Sequence, residues 1–319
     1  MYVCHVYALD RVYQLPINNW RLPRMGTAML KHRLITGPLL SIALIALIYF
    51  DECIGTTTCE CGIVFQPGLL IAILAMLSAP LAALEFGSMA TNLRIRCSIP
   101  MLILSMEAWI VAVYLIPSHM QVEKALAIFA TILVLSFVLT VFMLARGKQL
   151  EGVLSGASFT VATAGYVALG FGLLLLLRRD HSAWWIMGII AIVKVCDTGA
   201  FFVGCNYGKT KLIPWISPAK TWEGLIGGLA AASITAVLLA SANNHWLVNE
   251  PKISLILAAF ISVLFGLLGQ LGDLLMSVFK RDSGIKDAST VLPGLGGILD
   301  VLDSLLIVSP IAYWLLPSS

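Results

Sequence analysis

The chain has 319 residues, a formal net charge of +3 and a mean hydropathy of +0.94, and 59% of its residues are hydrophobic. Only 12% are charged, against roughly 25% in an ordinary soluble protein. That balance excludes a soluble globular domain, and so small a net charge gives no reason to expect a nucleic-acid partner.

Long apolar runs carry the bias, because a run of about 20 such residues matches the thickness of a bilayer core. Nine runs are predicted as membrane helices: 35–50, 66–84, 98–116, 125–145, 155–177, 184–204, 225–241, 253–275 and 298–316. The expected fold class is all-α, a polytopic integral membrane protein of about nine transmembrane helices. Three regions are expected: an N-terminal segment 1–34, a five-span membrane region 35–180 and a four-span catalytic region 181–319.

The segment 1–34 has no uninterrupted apolar run, which speaks against a cleavable signal peptide. Met29 opens a second plausible start just before the first span, so residues 1–28 are expected to be dispensable. After the first span, DECIGTTTCECG places Cys53, Cys59 and Cys61 close together. A disulfide or a metal site is one reading. Thiols without a role are at least an equal one, since no His or fourth Cys completes a ligand set there. Glu85 stands at the inner end of the second span, where it can reach the inner face. Glu107, in LSMEAWIV, lies within the third span. A carboxylate there is costly and a functional suspect, although a protonated or serine-paired Glu inside the bundle is the simpler reading.

Basic residues set the orientation. With the N-terminus cytoplasmic, fifteen Lys and Arg residues fall inside and only Lys124, Arg178, Arg179 and Lys252 outside, while Lys194 lies within a span. The Arg178–Arg179 pair runs against the trend.

The inner loops 205–224 and 276–297 break the apolar pattern. The eighth span leaves the membrane as GLLGQLGDLLMSVFKR. Gly266, Gly269 and Gly272 form a small-residue stripe that lets another helix approach. Asp273, Ser277, Lys280 and Arg281 follow at spacings that share one helical face. Snorkelling accounts for the two cations but not for the carboxylate below them. A turn with Lys286 and Asp287 comes next, then PGLGG, whose successive N–H groups before a helix suit an anion. Asp300 and Asp303 stand in the first turns of the ninth helix. Asp273 and Asp300, from two helices flanking a cationic turn, could hold a divalent metal between carboxylates and phosphate oxygens.

The earlier loop reads CDTGAFFVGCNYGKTKLIPWISPAKTWEGLIGG. Asp197 sits near the inner end of the sixth span, with Lys194 one turn before it as a neutralising neighbour. Gly204, Gly208, Lys209 and Lys211 make a basic turn. Ser217 or Thr221 can cap the seventh helix, and Lys220 can reach a phosphate. Gly227 and Gly228 permit close packing. Cations, carboxylates and glycine turns at one membrane surface suit phosphoryl or nucleotidyl transfer, where positioning and charge neutralisation supply most of the catalysis.

The stretch SVFKRDSGIKDASTVLPGLGGILDVLD, the upstream GQLGDLL and the SPAKTWEGLIGG segment resemble the signatures of the phosphatidate cytidylyltransferases, or CDP-diacylglycerol synthases. The resemblance is strong over about 184–316. Three positions depart from it: Leu295 stands for a His, and Val301 and Cys205 each for an Arg. The resemblance implies transfer of the cytidylyl group of CTP to phosphatidic acid in the bilayer, with Mg²⁺ as cofactor, on the cytoplasmic face of the inner membrane. It implies catalytic roles for Ser277, Lys280, Arg281, Lys286 and Asp287. Substrate binding would fall to Asp197, Lys209, Lys211, Ser217, Lys220, Thr221, Glu223, Gly296 and Gly297, and metal ligation to Asp273, Asp300 and Asp303. A homodimer is compatible with these expectations. Two other functions stand as alternatives, the first needing similar loops but transferring the γ-phosphoryl group and the second fitting less well. They are a CTP-dependent polyprenol-type lipid kinase and a transporter, which would call for polar residues deep in several spans and repeated halves.

Overall fold

Apolar segments in a bilayer must satisfy their own backbone hydrogen bonds, and the helix does so within one segment. The computed structural model describes residues 27–56, 66–117, 120–246, 251–285, 288–289 and 296–316. These hold α1 (Thr27–Thr56), α2 (Leu69–Asn92), α3 (Ile99–Leu115), α4 (Val122–Ala145) and α5 (Val153–Asp180). They are followed by α6 (Ala183–Tyr207), α7 (Trp222–Trp246), α8 (Leu255–Asp282) and α9 (Ile298–Leu315). Each apolar run falls on one helix, although α1, α2 and α8 extend six to eight residues beyond the runs 35–50, 66–84 and 253–275. Seven, α2 and α4 through α9, are long and apolar enough to cross a membrane, and α3 is a shorter apolar helix. The protein is an all-α polytopic membrane protein.

Its only described sheet is a short antiparallel ribbon between α6 and α7. Strand β1 (Lys211–Ile213) pairs with β2 (Ser217–Thr221), with Lys211 opposite Thr221 and Ile213 opposite Ser217. The sequence suggested only a basic turn here. Lys286, Asp287, Pro293, Gly294, Leu295, Cys59, Cys61 and residues 1–26 lie outside the described residues.

Contacts sort the helix termini onto two ends. At one end Arg178, 5% exposed, places Nε 2.7 Å from Asp51 Oδ2 and Nη2 3.0 Å from Glu52 Oε2. Asp51 Oδ1 also accepts the Leu70 N–H at 2.9 Å, and Glu52 Oε2 accepts that of Ala183 at 2.7 Å. Arg179 donates to Val113 O at 2.9 Å. The Arg178–Arg179 pair that ran against the orientation rule is therefore consumed internally. It ties α1, α2, α3, α5 and α6 together. At the other end Arg96 donates to Leu144 O and to carbonyls of the α4–α5 turn. Phe86 meets both Phe159 and Phe279 edge-on there.

Gly266, Gly269 and Gly272 do form a seam. A Cβ on Gly266 would lie 3.0 Å from Cys196 Sγ, and one on Gly269 would lie 3.1 Å from Val193 Cγ1, both on α6. One on Gly272 would lie 2.9 Å from Ser304 Cα on α9. Gly228 on α7 likewise faces Cys196 O of α6, 2.6 Å from where a Cβ would sit. Helices α6 to α9 thereby meet backbone to backbone, which fixes where their polar ends emerge. Glu107 is half-buried, and the serine pairing is not made, because Ser105 gives its hydroxyl to Met101 O.

Candidate active site

The close approach of α8 and α9 at Gly272 sets Asp273 beside the first turns of α9. There its charge is felt by both Asp197 and Asp303. Its partner comes from the ribbon: Lys220 Nζ lies 2.8 Å from Asp273 Oδ2 and also donates to Gln270 O at 3.3 Å. Lys220 is aimed by its neighbours. Thr221 Oγ1 accepts the Gly224 N–H at 3.1 Å and so caps α7. Glu223 accepts the Thr210 N–H at 3.1 Å and its hydroxyl at 2.9 Å, fastening the ribbon to that helix. Of the two cap candidates, Thr221 fills the role, while Ser217 sits in the ribbon, half-buried.

Across the α8–α9 junction, Lys280 Nζ lies 2.7 Å from Asp300 Oδ1, and both side chains are 13% exposed. Asp300 Oδ2 accepts the N–H of Gly297 at 3.0 Å and that of Ala288 at 3.4 Å. Gly296, at φ 95°, makes the left-handed turn that brings this backbone round. Gln270 Nε2 donates to Asp197 Oδ1 at 2.8 Å, and Lys194 lies 3.6 Å from Asp197 Oδ2. The neutralising Lys194–Asp197 pair is present.

Not every candidate is brought in. Asp303 is buried, and its Oδ1 accepts the hydroxyl of Ser304 at 2.9 Å. Lys209, Lys211 and Arg281 are exposed, and Ser277 is half-buried. The N–H groups that open α9 do not face open space. Glu85 of α2 reaches across and accepts those of Ile298 at 2.8 Å and Leu299 at 3.0 Å. Sequence reasoning put Glu85 near this face but did not foresee that contact, nor the contact of Gln270. The only signal was a lone polar side chain at the end of an apolar run.

The pairs Lys220–Asp273 and Lys280–Asp300 thus draw on three elements, β2, α8 and α9, beside the Lys194–Asp197 pair of α6. Among the described residues no three His, Cys, Asp or Glu side chains converge as a ready-made metal cage. Asp273 and Asp300 offer hard carboxylate oxygens, and Mg²⁺ is commonly held by one or two carboxylates plus substrate phosphates.

A model of the cytidylyltransferase family matches residues 52–319. The chain belongs to that family. Among curated proteins, the chain is 32% identical over 257 residues to the phosphatidate cytidylyltransferase of Staphylococcus aureus, covering 81% of this chain and 94% of that one. It is 41% identical over 130 residues to the enzyme of that name from Haemophilus influenzae, covering 41% of this chain and 44% of the relative. With that of Staphylococcus saprophyticus it shares 39% identity over 160 residues, 50% of this chain and 59% of the other. The last two alignments span about half of each relative. All of the candidate site lies inside the stretch matched to the family.

Proposed function

We propose that this cytidylyltransferase joins CTP to phosphatidic acid, giving CDP-diacylglycerol and pyrophosphate, at the cytoplasmic face of the inner membrane. The observation that carries the reading is the paired arrangement of Lys220 with Asp273 and Lys280 with Asp300 at one end of the α6–α9 bundle. Two ammonium groups held by carboxylates are pre-positioned for phosphate oxygens, and they are charge-neutral until a polyanion arrives. A phosphate oxygen of the lipid attacks the α-phosphorus of CTP, the bond to the β-phosphate oxygen breaks, and pyrophosphate leaves. Lys220 and Lys280 stabilise the charge spread over the phosphoryl oxygens, with exposed Arg281 available to the leaving group. Asp273 and Asp300 would hold Mg²⁺, which supplies charge neutralisation of the phosphates when bound.

An apolar cavity of about 610 Å³ lies among α1, α6, α7 and α8, chiefly toward the end of the bundle away from the Lys220 and Lys280 pairs. Ile189, Ala240, Ile261 and Phe265 line it, as does Lys194, one turn from Asp197. The deciding experiment uses purified protein, phosphatidic acid, Mg²⁺ and CTP labelled at either the α or the γ phosphate. The α label should enter the lipid and the γ label should leave as pyrophosphate. Transfer of the γ label to lipid with release of CDP would make the protein a kinase instead, and no transfer of either label would end the proposal.

A further inference from the structure

Helix α9 has a glycine at its N-cap, so that position offers no side chain to accept the N–H groups that follow. Its N-cap is Gly297, in extended backbone at φ −86° and ψ 170°. The first N–H groups of a helix have no partner inside it, and Ser, Thr, Asp or Asn at the N-cap usually accepts one. Here Asp300 takes the N–H of Gly297, and the next two go to a residue 213 positions away in sequence. Glu85, 3% exposed, accepts Ile298 N–H with Oε1 and Leu299 N–H with Oε2. Its Oε1 also accepts the Ser289 hydroxyl at 2.6 Å, which pins the preceding loop to the same carboxylate. The glycine is required by this arrangement, because a Cβ on Gly297 would overlap the Glu85 carboxylate.

We propose that Glu85 is a positioning residue of the site. It supplies from the N-terminal half of the chain the cap that Gly297 cannot, and so holds Asp300 in register with Lys280. Asp300 is the third residue of α9, one step beyond the two N–H groups that Glu85 grips. A carboxylate at that point also complements the positive end of the helix dipole. If the grip is lost, the first turn of α9 frays, and the Asp300–Lys280 pair and the turn through Gly296 and Ala288 lose their common anchor. Glu85 itself faces backbone N–H groups and a serine, not the Lys220 and Lys280 ammonium groups.

The test uses the full chain in detergent, with two readouts. The first is amide hydrogen exchange at Ile298 and Leu299, which needs no activity. The second is cytidylyl transfer, and only this one rests on the function proposed above. Glu85→Gln keeps the volume but turns an amide N–H₂ toward N–H donors, while Glu85→Ala empties the space beside Gly297. Both should speed exchange at the two amides. Both should lower turnover by roughly 10- to 100-fold, as changes to partners that orient ligating groups do. Adding Gly297→Ser to Glu85→Ala places a new cap in cis where the carboxylate was. This double variant should recover protection of the two amides, whereas Gly297→Ser alone should harm the protein by colliding with Glu85.

Unchanged exchange in Glu85→Gln would overturn the proposal. So would faster exchange with full turnover in Glu85→Gln, which would leave the cap without a part in positioning Asp300. Should Glu85→Ala fail to fold, Glu85→Gln and the double variant decide the matter. A wild-type protein that transfers no cytidylyl group would sink the function, and the cap would then stand or fall on exchange alone.

Discussion

Asp273 and Asp300 lie on different helices, and each is met by a lysine that sequence spacing does not assign to it. Spacing on α8 put Asp273 and Lys280 together on one face. In the structure Asp273 turns to Lys220, 53 positions earlier, and Lys280 turns to Asp300. If the two carboxylates act as one unit on the nucleotide phosphates, Asp273→Asn and Asp300→Asn should each lower turnover on the order of 100-fold or more, because charge stabilisation is usually the largest catalytic term. The double variant should be little worse than the worse single one, since groups acting together are not additive. Raising Mg²⁺ should partly rescue each single variant. Asp300 has a second duty, because its Oδ2 caps Gly297. Asp300→Asn should therefore also lose about 1 kcal/mol of stability, a typical cap contribution, where Asp273→Asn should not. Turnover against Mg²⁺ concentration, with melting temperature recorded alongside, separates the two duties. Full turnover in either variant, with an unshifted Mg²⁺ dependence, would remove the carboxylates from the reaction. The residue types of the site were legible in the sequence because charge is so scarce in this chain. Their partners were not, since pairing is decided by how helices approach in space.

Helix approach is itself written partly in the glycines. The repeat at Gly266, Gly269 and Gly272 announced a seam, but it did not say that the seam serves three helices, Leu229 of α7 also lying against Gly266. Its first two glycines face Cys196 and Val193 of α6, and the last faces Asp303 and Ser304 of α9. The last contact is the one that sets Asp273 at the foot of the site. Gly272→Ala would force a methyl group against the α9 backbone, which cannot swing aside as a flexible side chain can. Overpacking of this kind should cost about 1–3 kcal/mol and, by prising α8 from α9, should lower turnover as well. Gly165, in α5, has nothing within 4 Å of where a Cβ would sit, so Gly165→Ala is the matched control and should leave melting and turnover unaltered. Thermal melting in detergent with a parallel transfer assay checks both. A Gly272→Ala protein as stable and active as wild type would show that the seam has slack there. The α7 cap by Thr221 was readable from SPAKTWEG, but the ribbon was not. Its strands are three and five residues long, too short for a period-2 pattern to show.

At the scale of the whole molecule, the two ends of the bundle divide the labour. One end gathers the lysine–carboxylate pairs. The other is closed by Arg178 between Asp51 and Glu52, where Arg178 and Asp51 are 5% and 1% exposed. Breaking a buried pair by removing one partner strands the other charge and costs about 3–5 kcal/mol. Arg178→Met should thus melt far earlier, and adding Asp51→Asn should recover part of the loss, while the KM for CTP of the folded fraction stays unchanged. An altered KM would mean that the two ends communicate. The same division bears on orientation. Apolar length reveals that helices cross, but only the imbalance of basic residues suggests which end faces inward. Once Arg178 and Arg179 are seen to be satisfied internally, the imbalance favours the site end more strongly. Cys53, on α1 near the Asp51 cluster, and Cys205, near the site end of α6, are both exposed and mark opposite ends. Variants retaining only one of these cysteines can be treated in intact spheroplasts with a membrane-impermeant maleimide. Cys53 should react at once, and Cys205 only after permeabilisation. The reverse pattern would put the lysine–carboxylate pairs on the outer face, away from the nucleoside triphosphates of the cell interior, and the proposed reaction could not occur there.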